Sequence, residues 1–198
     1  YRPQSMTATA FKVVIPARFG SARLPGKPLA NIHGRPMIEW VHERALAGGA
    51  DETLVATDDQ RIVTACERFG ARAVLTRRDH DCGTDRIAEV AERFGWGEDE
   101  IVVNVQGDEP LIPPALIAQV AALAARERDA AVSTLVTPIA TESERRNPSF
   151  AKVVFDRDKR ALYFSRAPIP WPRDGGTPPS YRHIGLYACL LYTSDAAD

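Results

Sequence analysis

The chain has 198 residues, of which 44% are hydrophobic, and its formal net charge is −1. This length and composition suffice for one sizeable core, so we expect a single domain. The near-neutral charge argues against a general nucleic-acid binder, which needs many basic residues to displace counterions. No apolar run reaches the length of a bilayer span, so no membrane partner is expected. The spacing of the three cysteines favours neither a metal site nor a disulfide framework, and a cytoplasmic location is expected.

Strand and helix patterns alternate along the first two thirds of the chain. The apolar run Phe11–Pro16 is typical of a strand buried on both faces. Further strands are predicted at Thr53–Ala56, Ala71–Leu75, Ile101–Val105 and Ala131–Val136. Helices are predicted from Pro36 onwards and over Gln60–Phe69, Thr84–Phe94 and Pro114–Arg126. This alternation predicts a three-layer α/β/α, Rossmann-like fold with a mostly parallel sheet.

The pattern changes in the last third. Two strand-like segments, Lys152–Asp156 and Ala161–Ser165, flank the turn-like Arg157–Lys159. They predict an antiparallel hairpin that extends the sheet. A proline-rich loop follows, and then the strand-like segment His183–Ala188.

The first predicted strand runs into an unusual loop. The stretch Val13–Leu29 reads VVIPARFGSARLPGKPL, and its two glycines let backbone N–H groups approach an anion. Its cations, Arg18, Arg23 and Lys27, add positive charge. Pro28 stands where a Walker loop would carry the Ser or Thr that binds magnesium. We therefore predict a phosphate-binding loop of another type, with an ordinary basic surface loop as the alternative.

The second strand end carries the sequence ATDD, Ala56–Asp59. A carboxylate just past a strand is well placed to meet a ribose or a base edge. Alternatively, Asp58 or Asp59 caps the helix that follows.

The third strand end is TRRDHDCGTDR, Thr76–Arg86. Gly83 and Thr84 open a helix, and their backbone groups are candidates for reading a nucleobase edge. A capping role explains Thr84 or Asp85 equally well. His80 lies in a polar run, and simple solvation explains it as well as a functional role does.

The fourth strand end, Val103–Ile112, reads VNVQGDEPLI. It brings Asp108 and Glu109 together at the end of a buried strand, which is costly unless a cation or water meets them. Magnesium is usually bound by one or two carboxylates together with substrate phosphates. An acidic turn is the alternative. Together, the four strand ends predict a nucleoside triphosphate site whose chemistry is attack on a phosphate.

Several motifs then occur in a recognisable order. IPARFGSARLPGKPL, ATDD, GTDR, VNVQGDEP, FSRAPIPW and RHIGLYA span about Phe11 to Ala188. They closely resemble the 3-deoxy-manno-octulosonate (Kdo) cytidylyltransferases, or CMP-Kdo synthetases, of Gram-negative bacteria. Sialic-acid cytidylyltransferases are relatives with a different lysine pattern, and the RLPGKPL version favours Kdo. The resemblance implies that CTP and Kdo give CMP-Kdo and pyrophosphate with Mg²⁺, which activates Kdo for lipopolysaccharide biosynthesis.

The resemblance also implies roles for individual residues. The triphosphate would be held by Arg18, Ser21, Arg23 and Lys27. The catalytic residues would be Arg18, Lys27 and Asp108, of which Asp108 is the metal ligand. The nucleoside pocket would include Ala56, Thr57, Asp58, Gly83, Thr84 and Arg86. The contacts to Kdo would come from Gln106, Arg166, His183 and Tyr187, although the residues alone favour structural roles for the last three.

Three further expectations follow from the resemblance. A homodimer is expected, with the hairpin and the proline-rich loop as its dimerisation and substrate-covering region. The cytidylyltransferase domain is expected at residues 6–188 and C-terminally incomplete, with a second acidic metal ligand in the missing part. The flanks 1–5 and 189–198 are expected to be non-native or disordered. A nucleotide-binding fragment without turnover, a related CMP-acid-sugar synthetase and a glycosyltransferase of similar architecture remain the alternatives.

Overall fold

A computed structural model describes residues 9–20, 24–176 and 178–191. These residues divide into two compact units. The first comprises residues 9–133 together with 186–191, and the second comprises residues 134–185. The sequence led us to expect one domain, and the structure shows this subdivision within it.

The elements alternate as the sequence predicts. The strands are β1 (Lys12–Ala17), β2 (Asn31–Ile32), β3 (Arg35–Pro36), β4 (Glu52–Thr57), β5 (Ala73–Leu75), β6 (Ile101–Val105), β7 (Val132–Pro138), β8 (Lys152–Phe155), β9 (Ala161–Ser165) and β10 (Tyr181–Leu190). The α-helices are α1 (Met37–Leu46), α2 (Gln60–Arg68), α3 (Gly83–Phe94), α4 (Pro114–Arg126) and α5 (Glu142–Arg146). A short 3₁₀ helix covers Lys27–Leu29.

The first unit contains a mostly parallel sheet in the order β5-β4-β1-β6-β10. The central strand β1 pairs in parallel with β4 on one side and with β6 on the other. The last part of β10 is antiparallel to β6, with Leu186 opposite Val105. This arrangement confirms the predicted α/β fold.

The central strands are buried on both faces. Val13, Val14 and Ile15 of β1 have no exposed surface, and all five residues of β6 are buried. Val14 packs in one cluster with Ile87 and other apolar residues of α3. Full burial of such a side chain stabilises the fold by roughly 1.5–3 kcal/mol. This burial explains why the sequence shows continuous apolar runs at these strands.

The second unit contains the antiparallel hairpin of β8 and β9, as predicted. At its turn the Asp156 Oδ1 atom accepts hydrogen bonds of 2.9 Å from the backbone N–H groups of Asp158 and Arg160. The beginning of β10 pairs with β8, with Tyr181 opposite Val153. The unit also contains α5, and the first unit contains the β2–β3 pair. The sequence analysis predicted neither element, because it relied on periodic patterns and such short elements have too few residues to show one.

Strand β10 continues two residues past Ala188, the predicted end of the domain. Cys189 and Leu190 pair with Val102 and Ile101 of β6, and Leu190 is buried. Residues 1–8 and 192–198 lie outside the described residues, so the expectations about the flanks stay predictions. Within the described ranges, no helix has both the length and the apolar character that a membrane span needs.

Candidate active site

The site lies where parallel strands of the first unit end. Strands β1, β4 and β6 run in the same direction, so their carboxyl ends share one edge of the sheet. Ligands of open α/β sheets bind at this edge. The residues that follow these three strands are Arg18, Asp58 and Gln106.

A cavity of about 270 Å³ opens at this edge. Its lining comprises Pro16, Ala17, Arg18, Gly20, Lys27, Pro28, Met37, Gly83, Gln106, Gly107 and Asp108. It therefore joins the basic loop after β1 to the acidic turn after β6 and to the start of α3. Ser21 and Arg23, which were predicted to bind the triphosphate, lie outside the described residues.

The two predicted catalytic residues of opposite charge face each other. The Nζ atom of Lys27 lies 2.5 Å from Oδ2 of Asp108. Their side chains are 37% and 48% exposed, so solvent screens this ion pair and it adds little to stability. Each group can therefore leave its present partner at little cost. The Lys27 ammonium is then free to pair with a phosphate, and the Asp108 carboxylate is free to pair with a metal ion.

Pro16 lies close to two glycines of the cavity and leaves little room for a side chain at either one. A Cβ atom at Gly107 would lie 2.8 Å from the carbonyl oxygen of Pro16, and one at Gly83 would lie 3.3 Å from Pro16 Cγ. Gln106 turns back along β6, and its Nε2 atom donates to Asn104 Oδ1 at 3.1 Å. The glycines thus let the ends of β1, β6 and α3 come close together.

The basic loop is held through Phe19. Its backbone N–H donates to Asp58 Oδ1 at 3.2 Å, and its carbonyl accepts from the N–H of Gly26 at 2.8 Å. Gly26 has a φ of +71°, which favours glycine. The Arg61 guanidinium stacks on the Phe19 ring, 3.4 Å from its centroid.

Arg18 is held by a segment that contains a buried ionisable pair. Its Nη2 atom donates to the carbonyl oxygen of His80 at 2.6 Å. The His80 ring is buried, with Nε2 at 2.5 Å from Glu89 Oε2. Burial opposes ionisation of Glu89, but His80, the N–H of Arg77 and the charge of Arg93 favour it, and the pKa of Glu89 is lowered. His80 is therefore not merely solvated, and the sequence analysis missed Glu89.

The residues predicted for the nucleoside pocket differ in exposure. Gly83 lines the cavity and Thr84 is exposed, whereas Ala56 and Thr57 are fully buried in β4. The Arg86 side chain is also fully buried, and desolvation lowers its pKa. This placement does not support direct contact between the Arg86 guanidinium and a nucleotide.

The structure resolves the capping alternatives. Asp59, not Asp58, caps α2, because Asp59 Oδ1 accepts from the N–H of Arg61 at 2.9 Å. Helix α3 is capped by Cys82, whose N–H donates to Asp85 Oδ2 at 3.0 Å. Of the two predicted capping candidates, Asp85 takes part in this capping box, and Thr84 is not the capping residue.

Two residues predicted for the acid sugar lie in the first unit. Gln106 lines the cavity. Tyr187 is half-buried in β10, opposite Asn104, and burial raises the pKa of its hydroxyl.

The other two lie in the second unit. The Arg166 Nη1 atom donates to the carbonyl oxygens of Pro148 and Ser149 at 2.8 and 3.2 Å. The Nε2 atom of His183 lies 2.9 Å from Thr134 Oγ1, and burial lowers the pKa of the imidazole. These contacts give both residues structural roles, and their roles in sugar binding stay predictions.

Asp108 is the residue here that fits a magnesium ion. Among the described residues, no group of three or more His, Cys, Asp or Glu side chains converges on a metal site. A half-exposed carboxylate beside a basic loop matches instead an ion that is shared with substrate phosphates, which is the usual way that proteins bind magnesium.

Comparison with known proteins identifies the family. A model of the cytidylyltransferase family matches residues 12–190. The chain belongs to the cytidylyltransferases. A 3-deoxy-manno-octulosonate cytidylyltransferase of Thioalkalivibrio sulfidiphilus is 56% identical over 186 residues, which cover 90% of this chain and 74% of that protein. The corresponding protein of Pseudomonas fluorescens is 55% identical over 190 residues, covering 91% of this chain and 75% of that protein.

A solved structure shows the same cytidylyltransferase fold. It is CMP:2-keto-3-deoxy-manno-octonic acid synthetase complexed with CTP, and it superposes with a TM-score of 0.87 at 43% identity. The match covers 94% of this chain and 76% of that chain. The present cytidylyltransferase chain thus spans about three quarters of the length of these relatives.

The first prediction concerns Asp59, which supports Arg61 beneath the basic loop. Hydrogen bonds from Arg61 lower the pKa of Asp59 from 3.8 to about 2. Because the folded-state pKa is depressed, the resulting stabilisation is present above about pH 4 and is lost as the pH falls through about 2. We expect Asp59→Ala to lower the free energy of unfolding at pH 7 by about 1 kcal/mol, since a helix cap is also lost.

Denaturant titrations at pH 7, 4 and 3 measure this effect, with Glu67→Ala on the exposed face of α2 as the control. The deficit of Asp59→Ala should shrink towards pH 3, and that of the control should stay near zero. A deficit that does not depend on pH would contradict the role of the Asp59 charge.

Proposed function

We propose that this protein transfers CMP from CTP to 3-deoxy-manno-octulosonate and releases pyrophosphate, the step that activates this sugar for lipopolysaccharide biosynthesis. The observation that carries the proposal is the cavity in which Arg18, Lys27, Gln106 and Asp108 meet. It combines phosphate-binding cations with one metal-binding carboxylate in a chain of the cytidylyltransferase family. Named relatives at 55–56% identity support the choice of sugar.

The proposed reaction is a displacement at phosphorus. The anomeric hydroxyl oxygen of the sugar attacks the α-phosphorus of CTP, a new P–O bond forms, and the hydroxyl proton passes to solvent water. The bond from the α-phosphorus to the oxygen that bridges to the β-phosphate breaks, and pyrophosphate leaves with that electron pair. The charge that develops on the leaving group lies near Arg18 and Lys27, which stabilise it.

In this proposal Lys27 and Asp108 separate when CTP binds. The ammonium of Lys27 would turn to the phosphates, and Asp108 would be the residue that holds the magnesium ion. The bound ion supplies Lewis-acid polarisation of the α-phosphate. The bond from Arg18 to the His80 carbonyl keeps the guanidinium at the cavity before the substrate arrives.

The acid sugar carries a carboxylate, so its site needs hydrogen-bond donors. Gln106 is the proposed residue that already lines the cavity, and its side chain is oriented by Asn104. A cytoplasmic location is part of this proposal, because that compartment supplies nucleoside triphosphates and keeps thiols such as those of the three free cysteines reduced.

The second prediction tests the catalytic assignment by the sugar-dependent release of pyrophosphate from CTP and magnesium. Asp108→Asn should reduce kcat on the order of 100-fold or more, because charge stabilisation in the transition state is lost. Lys27→Ala should raise the KM for CTP and also lower kcat, because the ammonium contacts the phosphates and stabilises the charge that develops on the leaving group.

The chain offers a matched control at the opposite end of β1. Lys12 Nζ lies 2.6 Å from Glu100 Oε2, so this is the same kind of ion pair away from the cavity. Lys12→Ala and Glu100→Gln should leave turnover unchanged. If Asp108→Asn retains wild-type turnover, the metal assignment is wrong. If the wild-type chain releases no pyrophosphate with CTP and this sugar, the proposed function is wrong.

We also propose that two copies of the chain associate through the second unit. Strand β9 lies at the end of the strand order, and its Leu162 and Tyr163 are 67% and 62% exposed. Phe164 and Trp171 are 43% and 69% exposed. Apolar side chains along an edge strand are typical of a surface that a partner covers.

The third prediction tests this dimer by sedimentation velocity across a range of concentrations. The wild-type chain should sediment as a dimer, and Leu162→Glu combined with Tyr163→Glu should sediment as a monomer. Leu46→Glu, at a leucine of α1 that is 53% exposed, is the control and should remain a dimer. A wild-type monomer at every concentration would contradict the proposal.

A further inference from the structure

We propose that Asp58 is a positioning residue, which ties the basic loop after β1 to the buried Arg86 and does not contact the nucleoside. The inference rests on the proposed function, because it concerns how the site for the triphosphate of CTP is held in place. It replaces the roles in nucleoside binding that the sequence suggested for Asp58 and Arg86.

The two oxygens of Asp58 face different parts of the chain. Oδ1 accepts the hydrogen bond of 3.2 Å from the backbone N–H of Phe19. Oδ2 lies 3.5 Å from Nη2 of Arg86. The side chain is only 16% exposed. Both carboxylate oxygens of Asp58 therefore already have a partner, and the side chain presents little surface to a ligand.

Arg86 is a fixed anchor for this carboxylate. Its side chain has no exposed surface. The Nη1 atom donates to Thr76 Oγ1 and, at 3.1 Å, to the carbonyl oxygen of Arg77. Thr76 in turn donates to the Thr57 carbonyl at the end of β4, at 2.9 Å. A buried cation is costly unless a charge of opposite sign compensates it, and among the described residues Asp58 is the carboxylate within ion-pair distance of Arg86.

The hydrogen-bond inventory of Arg86 indicates that this arrangement is not optimised for stability alone. Its Nε atom is buried, and among the described residues it has no hydrogen-bond partner. Buried polar groups are nearly always paired, and the exceptions are often found where function constrains the geometry. An apolar side chain at this position would avoid that cost but would leave Asp58 without its cation.

The other end of the connection controls the phosphate-binding groups. Phe19 lies between Arg18 and Gly20, which both line the cavity. Its carbonyl accepts from Gly26, directly before Lys27, at 2.8 Å. Fixing the N–H of Phe19 therefore fixes the backbone next to Arg18 and, through Gly26, next to Lys27. Charges that are placed before the substrate binds need no reorganisation during the reaction.

A series of ligands distinguishes positioning of the loop from contact with the nucleoside. We would titrate the wild-type chain, Asp58→Ala and Asp58→Asn calorimetrically with CTP, CMP and inorganic pyrophosphate, each with magnesium. Asp58→Ala should weaken binding of CTP and of pyrophosphate by about tenfold or more, a loss of about 1.4 kcal/mol. Binding of CMP should change by less than about threefold, a loss below about 0.7 kcal/mol. Asp58→Asn keeps an oxygen that accepts from Phe19 and should recover part of the loss.

The matched control is Asp51→Ala. Asp51 Oδ2 accepts from the backbone N–H of Phe11 at 3.1 Å, so it makes the same kind of bond at the amino end of the same two strands. This variant should bind all three ligands as the wild-type chain does.

Each remaining outcome has one meaning. Equal losses for CTP and CMP would show that Asp58 contacts the nucleoside, and unchanged binding of pyrophosphate would show that it does not position the loop. Either result overturns the inference. If Asp58→Ala does not fold, as judged by circular dichroism, the same comparison with Asp58→Asn decides. If the wild-type chain binds no CTP, the proposed function itself fails.

Discussion

The parallel pairing of β1 with both β4 and β6 is the constraint on which the rest of the site depends. Val13 is in register with Thr53 on one side and with Val103 on the other. Since all three strands run the same way, their following turns emerge at one edge of the sheet. The basic loop, the Asp58 turn and the Asp108 turn are therefore brought together by backbone hydrogen bonds and not by attraction between their charges.

Charged groups at this edge fall into two kinds. Lys27 and Asp108 form an exposed pair, which solvent screens and which a phosphate and a metal ion can replace at little cost. Arg86, His80 and Glu89 are buried, and removing one partner leaves a charge or a polar group unsatisfied. The first kind suits groups that change partners during a reaction cycle. The second kind suits groups that keep the first in place.

The central fold could be predicted from the sequence because burial on both faces leaves continuous apolar runs. The limits of β6 and α4 agree with the prediction, and the hairpin of β8 and β9 was indicated by its turn. The short α5 begins with a capping box in which the Glu144 N–H donates to Thr141 Oγ1. That Thr-x-x-Glu spacing was a usable signal that the sequence analysis passed over.

The buried polar network could not be predicted in the same way. Arg86 and Glu89 lie on a helix rich in charged residues, where a solvated face is the ordinary expectation. Their burial depends on where the segment before α3 crosses the ends of β1 and β4, which is a tertiary contact. The pairing of Lys27 with Asp108 likewise joins residues 81 positions apart. The strand-end motifs predicted that such groups would converge, but not which of them would touch.

The central claim is that the site at this edge of the sheet binds CTP in preference to other nucleoside triphosphates. Calorimetric titration of the wild-type chain with CTP, UTP and ATP, each with magnesium, tests it most directly. The account predicts magnesium-dependent binding of CTP that is at least about tenfold tighter than that of UTP or ATP, a difference of about 1.4 kcal/mol. Equal affinity for the three nucleotides, or no binding of CTP by the folded chain, would contradict it.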